Sequence, residues 1–110
     1  MKEQGTRAAA FELLDGARAR VVGALDFSTV TALLPMGSEA IRSGRASMID
    51  LAAVTGSDSS GLALLIEWLS VAKAAHLPLR YENIPSQLAQ LAKLSDVAEL
   101  LAGEPQPSIG

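Results

Sequence analysis

Strand-like and helix-like apolar patterns alternate along the 110 residues of this chain, and this alternation restricts its fold more than any other feature. Short apolar runs between turn residues predict strands, and apolar residues at helical spacing predict helices. The predicted elements are strands at residues 11–14 and 18–22, a helix from 26 or 28 to about 42, a strand at 46–51, a helix from 62 to about 76, a strand at 79–81, and helices from 85 or 86 to 94 and from 96 to 101. This β-β-α-β-α-β-α-α order favours an α/β fold, in which a small mixed sheet of about four strands packs with about four helices.

Turn and capping residues support several of these boundaries. Asp15-Gly16 is a pair typical of a tight hairpin turn between the first two strands. Asp26 or Ser28 can cap the first long helix, because a side-chain oxygen there accepts hydrogen bonds from free backbone N–H groups. Ser95 is expected to cap the last helix in the same way.

Length and composition exclude several classes of protein. One domain at residues 10–102 is expected, with flexible ends at 1–9 and 103–110, which are polar or rich in glycine and proline. The net charge of -3 at pH 7 argues against binding of nucleic acid, which requires a basic face. The chain has no cysteine and a single histidine, His76, so a cysteine site or a two-histidine metal site within one chain is excluded. No segment has the apolar length of a signal peptide or a membrane span, so a cytoplasmic protein without direct membrane insertion is expected.

The segment Asp58-Ser59-Ser60-Gly61 lies between a predicted buried strand and a long predicted helix. In an α/β sheet such a loop lies outside the carboxyl end of the strand, where ligands and partners bind. The same residues also suit an ordinary helix start, in which Asp58 or Ser59 caps the helix and Gly61 allows close packing. A nucleophilic serine is not favoured, because the only histidine, His76, lies roughly 21 Å away along the same helix. A docking surface or a phosphorylation site at Ser59 or Ser60 remains.

The helix that follows this loop is apolar on more than one side. Its expected sheet-facing stripe consists of Leu62, Leu65, Ile66, Leu69 and Ala72. Ala63 and Glu67 lie on the opposite side and are expected to face solvent. Leu64 and Trp68 lie on a flanking stripe, for which two interpretations stay open. Either these side chains pack on a neighbouring helix, or part of the stripe stays exposed until a partner covers it, as at interfaces rich in tryptophan.

Several segments of the chain resemble the STAS family, which is named for sulfate transporters and anti-sigma factor antagonists. Residues 49–51 (Ile-Asp-Leu), followed by residues 57–65 (Ser-Asp-Ser-Ser-Gly-Leu-Ala-Leu-Leu), are similar to the strand and loop signature of that family. Residues 23–26 (Gly-Ala-Leu-Asp) resemble its upstream G-E-L-D segment, with Ala24 in place of glutamate. The resemblance covers about residues 11–101 and implies a single STAS domain that acts by docking onto a partner protein.

Two branches of this family imply different partners. Residues 61–65 resemble the STAS subunit of bacterial Mla-type phospholipid-transport ABC systems. That resemblance implies binding to the cytoplasmic ATPase of an inner-membrane complex that maintains outer-membrane lipid asymmetry. Residues 58–61 match the anti-sigma factor antagonists, in which a partner kinase phosphorylates a serine. We expect the transport branch, while Ser60, which replaces the usual glycine of that branch, keeps the phosphorylation switch open.

Both branches imply a non-catalytic domain without a cofactor or metal, and the transport branch implies a protein that associates with the inner membrane only through its partner. An enzyme is a third hypothesis, which is disfavoured because no paired acid–base constellation stands out. The residues expected to bind the partner are Asp58, Ser59, Ser60, Gly61, Ala63, Leu64, Glu67 and Trp68. Ser59 and Ser60 are the possible phosphorylation sites.

Overall fold

The computed structural model describes residues 9–101, and this part of the chain contains four strands and four helices. The strands are β1 (Ala10–Leu14), β2 (Arg18–Leu25), β3 (Met48–Ser57) and β4 (Arg80–Glu82). The helices are α1 (Phe27–Arg42), α2 (Ser59–Ala74), α3 (Ser86–Leu94) and α4 (Ala98–Leu101). The predicted order of elements is confirmed. The segments predicted to be flexible, 1–9 and 103–110, lie outside the described residues except for Ala9.

The four strands form one mixed sheet in the order β1-β2-β3-β4. β1 and β2 are an antiparallel hairpin, whereas β2, β3 and β4 run parallel to one another. A hairpin needs only a tight turn, but each parallel pair needs a longer crossover, and α1 and α2 lie in the two crossovers. The alternating pattern therefore predicts the fold class correctly.

The helices cover one face of this sheet. α1 contacts β1 and β2, while α2 and α3 contact β3 and each other. Alternate residues of β2 show the difference between the two faces, because Ala19 and Val21 are fully buried whereas Arg18 and Arg20 are exposed. The core therefore lies between the sheet and the helices, and the opposite face of β2 is turned to solvent.

Trp68 is the largest of the fully buried side chains. Its indole Nε1 donates a hydrogen bond to the backbone oxygen of Leu34 at 3.2 Å, and its ring packs edge-on against Phe11 with 5.6 Å between the ring centroids. Gly37 of α1 lies so close to the indole that a Cβ atom at that position would overlap the ring. Of the two interpretations of the flanking stripe, the structure supports packing within the domain, since Trp68 and Leu64 both belong to the core.

β3 is longer than the sequence predicts. The strand is predicted to end at Leu51, whereas it continues to Ser57. Local propensity is mixed over the added residues, because Val54 and Thr55 favour a strand whereas Ala52, Ala53 and Gly56 do not. Pairing with β2 supplies the extension, since Ser57 lies opposite Leu25. α2 begins earlier than predicted, at Ser59, so the predicted loop is reduced to Asp58.

Two other helix boundaries differ from the prediction. α2 ends at Ala74 rather than near His76, because His76 adopts the left-handed conformation with a φ of 58°. Ser95, predicted to cap the last helix, is instead the C-cap of α3. Asp96 then turns the chain with a φ of 63°, so α4 begins after the predicted position. At both turns, backbone N–H groups beyond the helix bond to carbonyls of its last turn.

Candidate partner-binding site

Asp58 connects β3 to α2 and is held by hydrogen bonds on both sides. Its backbone N–H donates to the carbonyl oxygen of Leu25 at 3.1 Å, which ties the connection to the end of β2. Its carboxylate accepts a hydrogen bond from the backbone N–H of Ser60 at 2.8 Å, so Asp58 rather than Ser59 is the N-cap of α2. The connection is therefore a fixed part of the domain, at the carboxyl ends of β2 and β3.

The three residues after this cap have different surroundings. Ser59 is exposed and Ser60 is half-buried. Gly61 is buried, and a Cβ atom there would overlap the hydroxyl of Ser57 and come within 2.9 Å of the Cβ of Leu25. The missing side chain lets the first turn of α2 approach the ends of both strands. Gly61 therefore contributes close packing beneath the surface, whereas Ser59 and Ser60 remain accessible on it.

A second aspartate caps α1 at the same end of the domain. The carboxylate of Asp26 accepts hydrogen bonds from the backbone N–H groups of Ser28 at 2.9 Å and Thr29 at 3.1 Å, and the Thr29 hydroxyl accepts one from the N–H of Asp26 at 2.9 Å. The hydrogen bond from the Ser28 hydroxyl, followed by that from the Thr29 backbone, holds the pKa of Asp26 below its ordinary value. Because Leu25 is paired with Ser57, the two capping aspartates follow neighbouring strand ends.

A shallow, mainly apolar groove of about 420 Å³ lies between α1 and α2, close to the start of both helices. Its lining residues are Val30, Thr31 and Leu34 from α1, and Ser60, Ala63, Leu64 and Glu67 from α2. Leu64 is only 3% exposed and forms part of the floor of the groove. Ala63 and Glu67 are exposed, as the sequence predicts, and lie on its rim.

The structure divides the eight predicted partner-binding residues into two groups. The accessible residues, called the docking surface below, are Asp58, Ser59, Ser60, Ala63 and Glu67. The buried residues are Gly61, Leu64 and Trp68. Trp68 has no exposed surface, so it is not accessible to a partner in this conformation. It is a core residue that packs α2 against α1.

Phe27 is a candidate site residue that the sequence analysis misses. It is the first residue of α1, directly after the cap, and 79% of its surface is exposed. Phe27, Thr31 and Leu34 follow one another at helical spacing, so they lie on the same side of α1. Phe27 does not line the groove itself, but it lies one turn nearer the start of α1 on the side that borders the groove. The spacing is visible in the sequence, but it is equally typical of a stripe that faces the core.

The chemical groups at this end of the domain are few in kind. Among residues 9–101, no cluster of three or more histidine, aspartate or glutamate side chains could hold a metal ion. His76 lies just beyond the end of α2, at the opposite end of that helix from Ser59. None of the helices in the described region is long and apolar enough to cross a membrane. The site presents hydroxyl groups, carboxylates and an apolar groove.

Comparisons with known proteins show the family and the fold of this chain. A family model described as "Mlab, STAS domain" matches residues 13–102. The fold is similar to that of the anti-sigma factor antagonist SpoIIAA in its unphosphorylated form, with a TM-score of 0.62, 20% sequence identity, and coverage of 79% of this chain and 83% of that chain. It is also similar to the Bacillus cell fate determinant SpoIIAA in its phosphorylated form, with a TM-score of 0.63, 20% identity, and coverage of 82% and 85%. A search among curated proteins gives no match. The family match spans most of the chain and confirms the resemblance seen in its sequence, and the chain belongs to the Mlab-type STAS domain family.

Proposed function

We propose that this chain is a non-catalytic accessory subunit that binds the cytoplasmic ATPase of an Mla-type ABC phospholipid transporter. Such a transporter maintains the lipid asymmetry of the outer membrane. The family match over residues 13–102 carries the proposal, and the accessible docking surface at the start of α2 supports it. In this proposal the subunit is cytoplasmic and reaches the inner membrane only through its partner.

In the proposed mechanism the domain supplies a rigid surface and no reacting group. The hydrogen bond of Asp58 to Ser60 fixes the start of α2, and the packing of Trp68 against α1 fixes the position of that helix. A surface ordered before binding loses little conformational entropy when it docks, so more of the contact free energy stabilises the complex. The small, exposed Ser59 lets a partner approach closely. In this proposal, docking of the domain stabilises and activates the ATPase.

Purification of a tagged chain from its native cells tests the proposal. We expect an ABC ATPase to copurify with the wild type and with Ser59→Ala. Ser59→Arg should lose the ATPase, because the larger side chain holds the two surfaces apart and its charge is left unpaired in a desolvated contact. Ser95→Arg is the matched control, since Ser95 is also exposed but follows α3 instead of opening α2. Absence of an ABC ATPase from the wild-type eluate would contradict the proposed function.

The position of Ser59 favours a second candidate function, that of an anti-sigma factor antagonist. Its exposed hydroxyl lies in the first turn of α2, where the helix dipole and backbone N–H groups favour a phosphate. One of the similar solved structures is a phosphorylated form of SpoIIAA. In this alternative, a partner kinase phosphorylates Ser59 or Ser60, and the unphosphorylated form binds that kinase.

The mass of the intact chain from native cells separates the two functions. A population heavier by one phosphate, lost in Ser59→Ala or Ser60→Ala, together with a small histidine-kinase-like ATPase in the eluate, would support the antagonist. An unmodified chain that copurifies with an ABC ATPase would support the transport subunit.

A further inference from the structure

The groove between α1 and α2 combines an apolar floor with an acidic rim. Val30, Leu34, Ala63 and Leu64 contribute apolar surface, and the exposed Phe27 lies one helical turn before the groove on the same side of α1. Such a surface takes apolar side chains out of water and so gains free energy on docking. A partner seated in the groove would also cover the ring of Phe27, which is 79% exposed, and aromatic side chains are enriched in the buried parts of interfaces.

The charged groups that line this groove or cap its two helices are carboxylates. Asp26 and Asp58 cap the two helices at its upper end, and Glu67 lies on its rim. No lysine or arginine among the described residues lines it. Arg42 and Glu67 both line a separate hollow further along the two helices. The acidic part of the surface therefore ends at Glu67, beyond which the cation of Arg42 follows.

The helix N-termini reduce this negative charge without cancelling it. Each helix N-terminus carries a partial charge of about +0.5, so two of them offset about one of the three carboxylates. The carboxylates of Asp26 and Asp58 already accept hydrogen bonds from backbone N–H groups, in both cases through Oδ1. The other oxygen of each carboxylate, Oδ2, takes no part in these cap bonds and can accept a hydrogen bond from a cation.

We infer that the groove binds an amphipathic helix of the partner whose apolar stripe is flanked by lysine or arginine. This inference rests on the proposed function only in that the partner docks at the same site. From Ser60 to Glu67 the groove runs along about two turns of α2, and a parallel helix of similar length presents apolar side chains at i, i+3, i+4 and i+7. Basic residues beside that stripe then face the carboxylates, which favours this occupant over an acidic segment.

Photocrosslinking in native cells tests the inference, because it captures whichever segment lies against the groove. Phe27 is replaced by p-benzoylphenylalanine, and the crosslinked peptide is sequenced by mass spectrometry. Leu94 is the matched control, because it is a large apolar residue exposed to 85%, at the end of α3 and away from the groove. We expect a crosslink from position 27, and not from position 94, to a segment with helical apolar spacing and a net positive charge.

The outcome for the segment and the outcome for the partner are read separately. A basic amphipathic segment in a protein other than an ABC ATPase would support the inference and overturn the proposed function. An acidic or uncharged segment, a second copy of this chain, or equal crosslinking from Phe27 and Leu94 would overturn the inference, even if the partner is an ABC ATPase.

Charge reversal on the rim gives an independent readout. Glu67→Lys should lower the crosslinking yield at position 27 several-fold, because it places a cation opposite the partner's cations. Glu39→Lys is the matched control, since it makes the same change on an exposed position of α1 that does not line the groove. Equal yields from the two variants would overturn the acidic-rim argument.

Discussion

At the scale of single residues, the capping of α2 and the proposed docking involve different side chains of one short segment. Asp58 supplies the hydrogen bond that closes the first turn of α2, whereas the Ser59 hydroxyl makes no hydrogen bond within the described part of the chain. The sequence left open which of the two is the cap. The structure assigns that role to Asp58, and the exposed Ser59 is available for the proposed contact with a partner.

This division predicts different effects for two alanine variants. Asp58→Ala should lower the free energy of unfolding by about 1 kcal/mol, within the range of roughly 0.5–2 kcal/mol for loss of an N-cap. Ser59→Ala should change it by less than about 0.5 kcal/mol, as is usual for an exposed position. Urea denaturation of both variants measures the difference. A larger loss in Ser59→Ala than in Asp58→Ala would contradict the assignment of the cap.

At the scale of elements, the contact between α1 and α2 depends on a glycine facing a tryptophan. Gly37 lies in the interior of α1, where alanine would otherwise favour the helix by about 1 kcal/mol. The indole of Trp68 occupies the space that a Cβ atom would need. Steric overlap should therefore outweigh helix propensity at this position.

We predict that Gly37→Ala lowers the free energy of unfolding by about 1–3 kcal/mol, the usual cost of overpacking a core. Gly56→Ala is the control, because Gly56 in β3 has no atom within 4 Å of the added Cβ. That variant should be close to neutral. A stabilised Gly37→Ala protein in thermal denaturation would show that the two helices can separate at little cost.

The role of Trp68 in the same contact can be tested directly, since it is the only tryptophan of the chain. We expect blue-shifted fluorescence that is poorly quenched by solutes, and no shift when the partner binds, because the ring is fully buried in the free domain. Trp68→Ala should cost about 3–5 kcal/mol of folding free energy. Red-shifted emission in the free protein would contradict this placement.

At the scale of the whole molecule, Tyr81 links the edge of the sheet to the helix layer. It lies in β4, and its hydroxyl donates a hydrogen bond to the backbone oxygen of Leu65 in α2 at 2.6 Å. Burial raises the pKa of Tyr81 well above its usual value of about 10. The folded domain therefore holds a proton that the unfolded chain releases in alkaline solution.

The stabilisation that follows from this raised pKa is fully present below about pH 10 and is lost as the pH rises further, because ionisation then favours the unfolded state. Tyr81 is the only tyrosine, so tyrosinate absorbance reports on it alone. We expect the absorbance to appear together with unfolding, and Tyr81→Phe to lose less stability than the wild type between neutral and strongly alkaline pH. Titration at the usual pH in a folded protein would contradict the burial of this hydroxyl.

The sequence by itself determined the order of the elements and the exposed face of α2 that carries Ala63 and Glu67. It also gave Asp26 as one of two candidate caps of α1, and Asp26 is the cap in the structure. The sequence also indicated the segment to which we assign the proposed docking surface. These features depend on hydrogen bonds between near neighbours and on the spacing of apolar residues within one element, and both can be read along the chain.

Only the tertiary structure decided where β3 ends, that Trp68 lies in the core, and that Phe27 stays exposed. Each of these features depends on segments that are distant in the sequence. Pairing with β2 extends β3 to Ser57, and the approach of α1 at Gly37 covers Trp68 while the start of the same helix remains exposed. A helical stripe shows which residues share a face of a helix. Whether that face is buried depends on the surface that packs against it, and the local sequence pattern does not identify that surface.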